Sequence, residues 1–275
     1  MVDYLKKNYY LPECQLGDVH IVETSLLNYS ISEQIYTMQI IWEIKSISKI
    51  FVTILSVKET NVQISNFTIA YPLENQMPLD KALFIDIETT GFTARSSYLY
   101  LIGCAYYQDG CWNVRQWFAE NYNEETAILD AFFDFAKDYT HLIHFNGNNF
   151  DLPFILQKCK QLGLAYTFDN FEGLDIYRRI APYRHFLKLP NCKQKTLELF
   201  LGIDREDIYN GGELISFYHE YVRFHNEEQE KALLLHNEED LKGMLELLPI
   251  LAYYDTLNSG LRAKKAQAST YKDMS

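Results

Sequence analysis

The chain has 275 residues, 48% hydrophobic and 15% aromatic, enough to bury a large core and to exclude wholesale disorder. No run approaches the ~20 apolar residues of a membrane span, and residues 1–17 lack the apolar stretch of a secretory signal. Five scattered cysteines without a CxxC pair argue against a zinc ribbon or disulfide framework, so a reduced, cytoplasmic protein is the simplest reading.

Residues 1–78 read as a strand-rich extension of unassigned role. Residues 19–23, 35–44, 50–57 and 62–71 are rich in Ile, Val, Thr and aromatics. Polar Lys58 to Asn61, between the last two runs, predicts a hairpin turn. Pro72 and Pro78 bracket a polar link. The texture then changes, and residues 79–257 form a second unit. An apolar run over 82–87 predicts a central strand buried on both faces. Strands over 98–107 and 112–118 follow, joined at Asp109-Gly110, a hairpin dipeptide. Asn123 is placed to cap a helix whose apolar Ile128, Leu129, Phe132, Phe135 and Ala136 fall at helical spacing. Residues 141–145 predict a strand, and 150–162 a helix that tolerates Pro153 in its first turn. Helices over 176–183, 195–201, 213–224 and about 227–254 complete the unit. Residues 258–275 read as a polar, mobile tail. Together these elements predict an α/β domain with a mixed sheet.

Three acidic segments carry the chemistry. In Asp86-Ile87-Glu88-Thr89-Thr90-Gly91, two acids two residues apart at the end of an apolar strand project to one face. Desolvating such a pair is costly unless hard cations neutralise it. Two solvated acids at an exposed strand end would read the same way. In Asn146-Gly147-Asn148-Asn149-Phe150-Asp151, a polar turn after a strand brings Asp151 to the start of a helix, near the sheet's carboxyl edge. A helix macrodipole alone would also favour an acid there. In His236-Asn237-Glu238-Glu239-Asp240, His236 and Asp240 are four apart and share one helix face, with Leu233, Met244 and Leu248 around it.

These three segments, in this order, resemble the motifs of the DEDD (DnaQ-like) 3′→5′ exonuclease superfamily, and most closely its YprB-type ribonuclease H-like branch. Leu197 to Ile203, Gly211-Gly212 and Tyr218 resemble that branch too. The resemblance spans residues 81–251. It implies a ribonuclease H-like mixed β-sheet flanked by helices, and two divalent cations, Mg²⁺ or Mn²⁺. It implies that Asp86 bridges both ions, that Glu88 and Asp240 complete one site, and that Asp151 holds the other. His236 would orient or deprotonate the attacking water. The family's third motif carries either a Tyr or a more distant His ahead of the Asp, and His236, with three residues between it and Asp240, has the Tyr spacing. The implied substrate is the 3′ end of single-stranded DNA or RNA, and Phe92 and Phe150, next to motif acids, could stack its bases.

The formal charge of −12 weighs against a uniformly basic nucleic-acid binder, but distribution outweighs the total. Arg178, Arg179, Arg184, Lys188, Lys193 and Lys195 form a basic segment that could follow a phosphate backbone, or simply a solvated face. The absence of a GxxxxGK[ST] loop excludes a P-loop NTPase. Arg223 stands where a zincin helix beginning at His219 needs its second His, and no GxSxG elbow occurs. The rival from another class is a non-catalytic ribonuclease H-like module that binds nucleic acid or protein.

Overall fold

The computed structural model describes residues 57–64 and 78–273, with side chains to Leu251 except Pro249. The strands expected over 19–23, 35–44 and 50–56, the end of the 62–71 run and the Pro72 link lie outside these residues.

Six strands build one sheet: β1 (Lys58–Ile64), β2 (Ala82–Thr89), β3 (Leu99–Gln108), β4 (Cys111–Phe118), β5 (His141–His144) and β6 (Glu172–Asp175). Their spatial order is β1-β4-β3-β2-β5-β6. The first four pair antiparallel, while β5 and β6 extend the sheet in parallel from β2. Hence β2 is central, as its apolar run requires, and its carboxyl end opens beside that of β5. The β3–β4 turn falls at Asp109-Gly110 with φ of 54° and 82°, the pair of positive angles that a two-residue hairpin needs.

Helices cover both faces. Helix α1 (Glu125–Ala136), α2 (Asp151–Leu162) and α5 (Gly211–Phe224) share a core with Leu83, Ile85 and Ile87 of β2. Residues of α3 (Ile176–Ile180), α4 (Gln194–Leu201) and the long α6 (Glu227–Asp273) pack with Ala82 and Phe84 on the opposite side. The two-residue side-chain period of β2 therefore feeds two cores. Aromatic pairs lock them: Trp112 meets Phe84 edge-on at 5.4 Å and Trp117 meets Phe132 at 6.2 Å. Each such pair adds roughly 0.5–1.5 kcal/mol beyond area burial. Glu125 ties α1 and α2 to the sheet, accepting from Leu99 N at 2.7 Å and from Lys158 Nζ at 2.7 Å.

Three local expectations are corrected. Lys58 to Asn61 do not turn but run as the edge strand β1, opposite Phe118 to Arg115. Their charges have partners in the fold, Glu59 with Arg115 of β4 and Lys58 with Glu230 of α6, and charged residues on an edge also discourage stray pairing. The sheet thus begins ahead of residue 79. Asn123 does not cap α1; the preceding residue is Glu124, whose carboxylate instead accepts from Glu120 N and Asn121 Nδ2. Helix α6 continues to Asp273, through the segment that composition assigns to a tail.

Candidate functional site

The β2 strand delivers Asp86 and Glu88 to the face covered by α6, two residues apart and at its open end. The turn from β5 to α2 delivers the third acid. Asn146 adopts a left-handed conformation, φ 61°, and its N–H donates to Asp175 Oδ1 at 3.0 Å. Asn148 Nδ2 donates to the other oxygen of Asp175 at 3.2 Å. Asp175 is buried and also caps α3 by accepting from Arg178 N. So anchored, the turn starts α2 at Asp151, which is buried. Helix α6 brings His236 and Asp240 down on the same spot.

The electrostatics record this convergence. Burial, then Asp240, Glu88 and Asp151, raise the pKa of Asp86 well above the usual carboxylate range. Burial, Asp240 and Asp151 do the same to Glu88. Asp151 is pushed up to about 7, chiefly by burial, against backbone hydrogen bonds that include one from Ile87, the residue between the two β2 acids. Like charges in one desolvated place disfavour ionisation. Such a cluster suits a cation with hard oxygen ligands. Glu88, His236 and Asp240 each offer a ligand atom, all within 4.8 Å of one another.

His236 is held by a group that the sequence did not single out. Its Nδ1 lies 2.6 Å from Asp207 Oδ2, and its Nε2 faces Glu88 Oε1 at 3.7 Å and Asp240 Oδ2 at 3.6 Å. Burial pushes the Asp207 carboxyl up, but Lys195 and His236 outweigh it and hold the group at about 2. Arg205, also unforeseen, donates to Asp240 Oδ1 at 2.6 Å, to both oxygens of Glu198 and to Asp207 Oδ2. It thereby occupies one oxygen of Asp240 and leaves the other toward His236. Gln194 Nε2 donates to the Asp240 carbonyl at 2.7 Å. Asn237 Nδ2 donates to Asp86 Oδ2 at 2.8 Å. In the sequence these residues carry no signal beyond their polarity.

The basic segment divides. Lys195 donates to Asp207 Oδ2 at 2.8 Å and to Tyr209 O at 3.0 Å. Arg184 donates to Leu189 O and Pro190 O, and Arg178 reaches Asp175 and Asn149. All six, Lys188, Lys193 and Arg179 included, are exposed. Arg184 and Lys193 line a cleft of about 620 Å³ together with Phe145, Tyr177 and Gln194. Gln194 connects this cleft to Asp240. Of the two aromatics beside motif acids, Phe92 is 90% exposed and meets Phe150 edge-on at 6.2 Å, while Phe150 packs partly on the core.

A family model described as RNase_H superfamily matches residues 83–252, more than half of the chain and a span that includes every acid above. A stretch of 50 residues is 38% identical to a DNA polymerase of Ostreid herpesvirus 1 (isolate France), covering 18% of this chain and 3% of that protein. Among solved structures, the family B DNA polymerase from the hyperthermophilic archaeon Pyrobaculum calidifontis matches with a TM-score of 0.51 at 17% identity. That match covers 64% of this chain and 25% of the polymerase chain. This chain therefore spans only a minor part of either polymerase, and the structural likeness speaks for the fold alone. With its mixed six-stranded sheet, its helices on both faces and its matched span, the chain belongs to the RNase_H superfamily and has a ribonuclease H-like fold.

Proposed function

We propose that this chain is a DEDD-type, metal-dependent 3′→5′ exonuclease that hydrolyses phosphodiester bonds of single-stranded DNA or RNA. One observation carries the reading: four acids from three separate segments, Asp86, Glu88, Asp151 and Asp240, meet in one place, where burial and their neighbours' charge raise the proton affinity of Asp86, Glu88 and Asp151. A binding module has no use for that arrangement, because it repels the phosphates it would bind. Hard carboxylates without cysteine fit Mg²⁺ or Mn²⁺. Asp86, Glu88, Asp151 and Asp240 would hold such cations, which would stabilise charge on the attacking and leaving oxygens of an in-line displacement.

The remaining work falls to the chain's own groups. His236, its Nδ1 engaged by Asp207, turns Nε2 toward the acids, where it takes the proton of the attacking water. Arg205 fixes Asp240 by one oxygen. Exposed Phe92, backed by Phe150, offers a stacking face for a terminal base. Arg184 and Lys193 receive the following phosphates along the cleft they line with Phe145 and Tyr177; exposed Arg178, Arg179, Lys188 and Lys195 extend that basic surface.

The test uses DNA and RNA strands labelled at the 3′ or the 5′ end, incubated with Mg²⁺, Mn²⁺ or EDTA. Stepwise loss from the 3′ end that EDTA abolishes is the expected result. Strands bound but left intact with either metal would favour the purely binding alternative, and cleavage undiminished in EDTA would remove the metal from the mechanism.

A further inference from the structure

We infer that Asn237 is a positioning residue for Asp86, and that its orientation is set by a row of side chains running across the sheet to the edge strand β1. The inference rests on reading Asp86 as a metal-binding acid. Thr60 stands opposite Gln116, Gln116 opposite Gly103, and Gly103 opposite Asp86. Directly opposed residues project to the same face of a sheet, so any side chain at position 103 would separate Gln116 from Asp86. Gly103 leaves that place open, and Asn237 enters it from α6. A Cβ on Gly103 would stand 1.9 Å from Asn237 Oδ1, far inside any contact distance.

Each link in the row has one direction. Thr60 Oγ1 donates to Gln116 Oε1 at 3.0 Å. That assigns the Gln116 amide, whose Nε2 donates to Leu234 O and to Asn237 Oδ1, both at 2.8 Å. With its oxygen engaged, Asn237 turns Nδ2 outward, to Asp86 Oδ2 at 2.8 Å and to the Asp86 carbonyl at 3.3 Å. Gln116 and Asn237 are 1% and 0% exposed, so water does not compete for these groups. An ionised carboxylate only accepts, so the NH₂ end of the amide can pair with it and the oxygen end cannot. The row thus pins one oxygen of Asp86, and it draws β1, which lies in the stretch the sequence assigned to an extension, into the support of the site.

The test is Mn²⁺ binding by calorimetry on the full chain, with kcat and KM on a labelled strand as a second reading. Asn237→Ala is expected to weaken Mn²⁺ by about 10–100-fold, as loss of a partner behind a metal-binding acid does, and to lower kcat while leaving the strand's KM unchanged. Gly103→Ala keeps every polar group yet displaces the amide, so it should produce the same loss. The double variant Gly103→Ala/Asn237→Ala should be no worse than either single one. Parental Mn²⁺ affinity and kcat in folded Asn237→Ala would overturn the inference, as would full additivity in the double variant. Should Asn237→Ala fail to fold, Gln116→Met, which keeps the volume, takes its place: weakened Mn²⁺ supports the row, and parental affinity overturns it. A parent protein that binds Mn²⁺ but cleaves no strand would sink the exonuclease reading, while the positioning role would still be read from Mn²⁺ affinity.

Discussion

The acids of this molecule fall into two groups with opposite treatment. Asp86, Glu88 and Asp151 face one another, and among the described residues none forms an ion pair with a lysine or arginine. Glu198, Asp207 and one oxygen of Asp240 instead close around Arg205, with Lys195 alongside. Asp151, Glu198 and Asp207 are buried and Asp86, Glu88 and Asp240 half-buried, and withdrawing charge from water is costly unless it is compensated. The second group is balanced from within the chain and forms a frame. The first is left unbalanced, so its compensation must come from outside the chain, as protons or as cations. Asp240 joins the two groups, with one oxygen on the frame and the other turned toward the open set.

The sharpest break in this contrast is Asp86→Ala, which should abolish hydrolysis and yet raise the melting temperature of the metal-free protein by relieving repulsion. Full activity in that variant, read on a labelled strand, would refute the role given to the unbalanced acids. His236→Ala should cost on the order of 10²–10⁴ in rate, the range for a lost acid–base group. Its circular dichroism should match the parent, and a parental rate at saturating Mn²⁺ would make His236 structural. On the frame the sign reverses. Arg205→Ala leaves Glu198 without a cation and frees the held oxygen of Asp240, and should destabilise by about 3–5 kcal/mol, a melting-point loss of roughly 10 °C. No stability loss on thermal unfolding would mean that the frame is not a frame.

A smaller effect follows from protonation. The folded-state pKa of Asp151, about 7, lies above its ordinary 3.8, and those of Asp86 and Glu88 are raised as well. Between these limits the folded chain binds more protons than the unfolded one, so stability is present at low pH and lost as pH rises through the folded values. The metal-free protein should therefore melt higher near pH 5 than near pH 7.5. Added Mg²⁺ should stabilise it more at the higher pH, and a flat profile across that window would contradict the crowding. Asp207, held at about 2, behaves oppositely, but it loses its contribution only below this window. Smallest of all, Lys188→Ala with Lys193→Ala should reduce the salt slope of strand binding by about 1 to 1.5. An unchanged slope would assign those lysines to a solvated face.

The order and type of the elements around the site were legible because their signals are local. The apolar run ending in Asp86 and Glu88, the Asp109-Gly110 turn and the 3.6-residue periodicity of α1 each speak within about ten residues. The acids were legible too, since a same-face pair at a strand end is costly without a reason. What escaped depends on approach between distant segments. Arg205 and Asp240 are 35 residues apart, and in the chain each looks like an ordinary surface charge. Gly103 looks like a weak spot in a strand until Asn237 is seen to fill the gap. Lys58 to Asn61 mimic a turn because edge strands and turns share a polar composition, and only the pairing with β4 separates them. Lys195 reads in the chain as one of six basic residues, and its pairing with Asp207 shows only in the fold.

His236, Asn237 and Asp240 ride on little more than one turn of α6, a rise of roughly 6 Å. They have almost no freedom to move relative to one another, and their helix is clamped along the same face by Leu241, Met244, Leu245 and Leu248. Sliding or tilting α6 would therefore shift the ring, the amide and the acid in step, much as one shaft turns several cams. A substitution that loosens this clamp far from the acids, such as Met244→Ala, would not detune a single group. It would degrade water activation, the hold on Asp86 and cation retention together, so that rate and metal affinity decline along one common line.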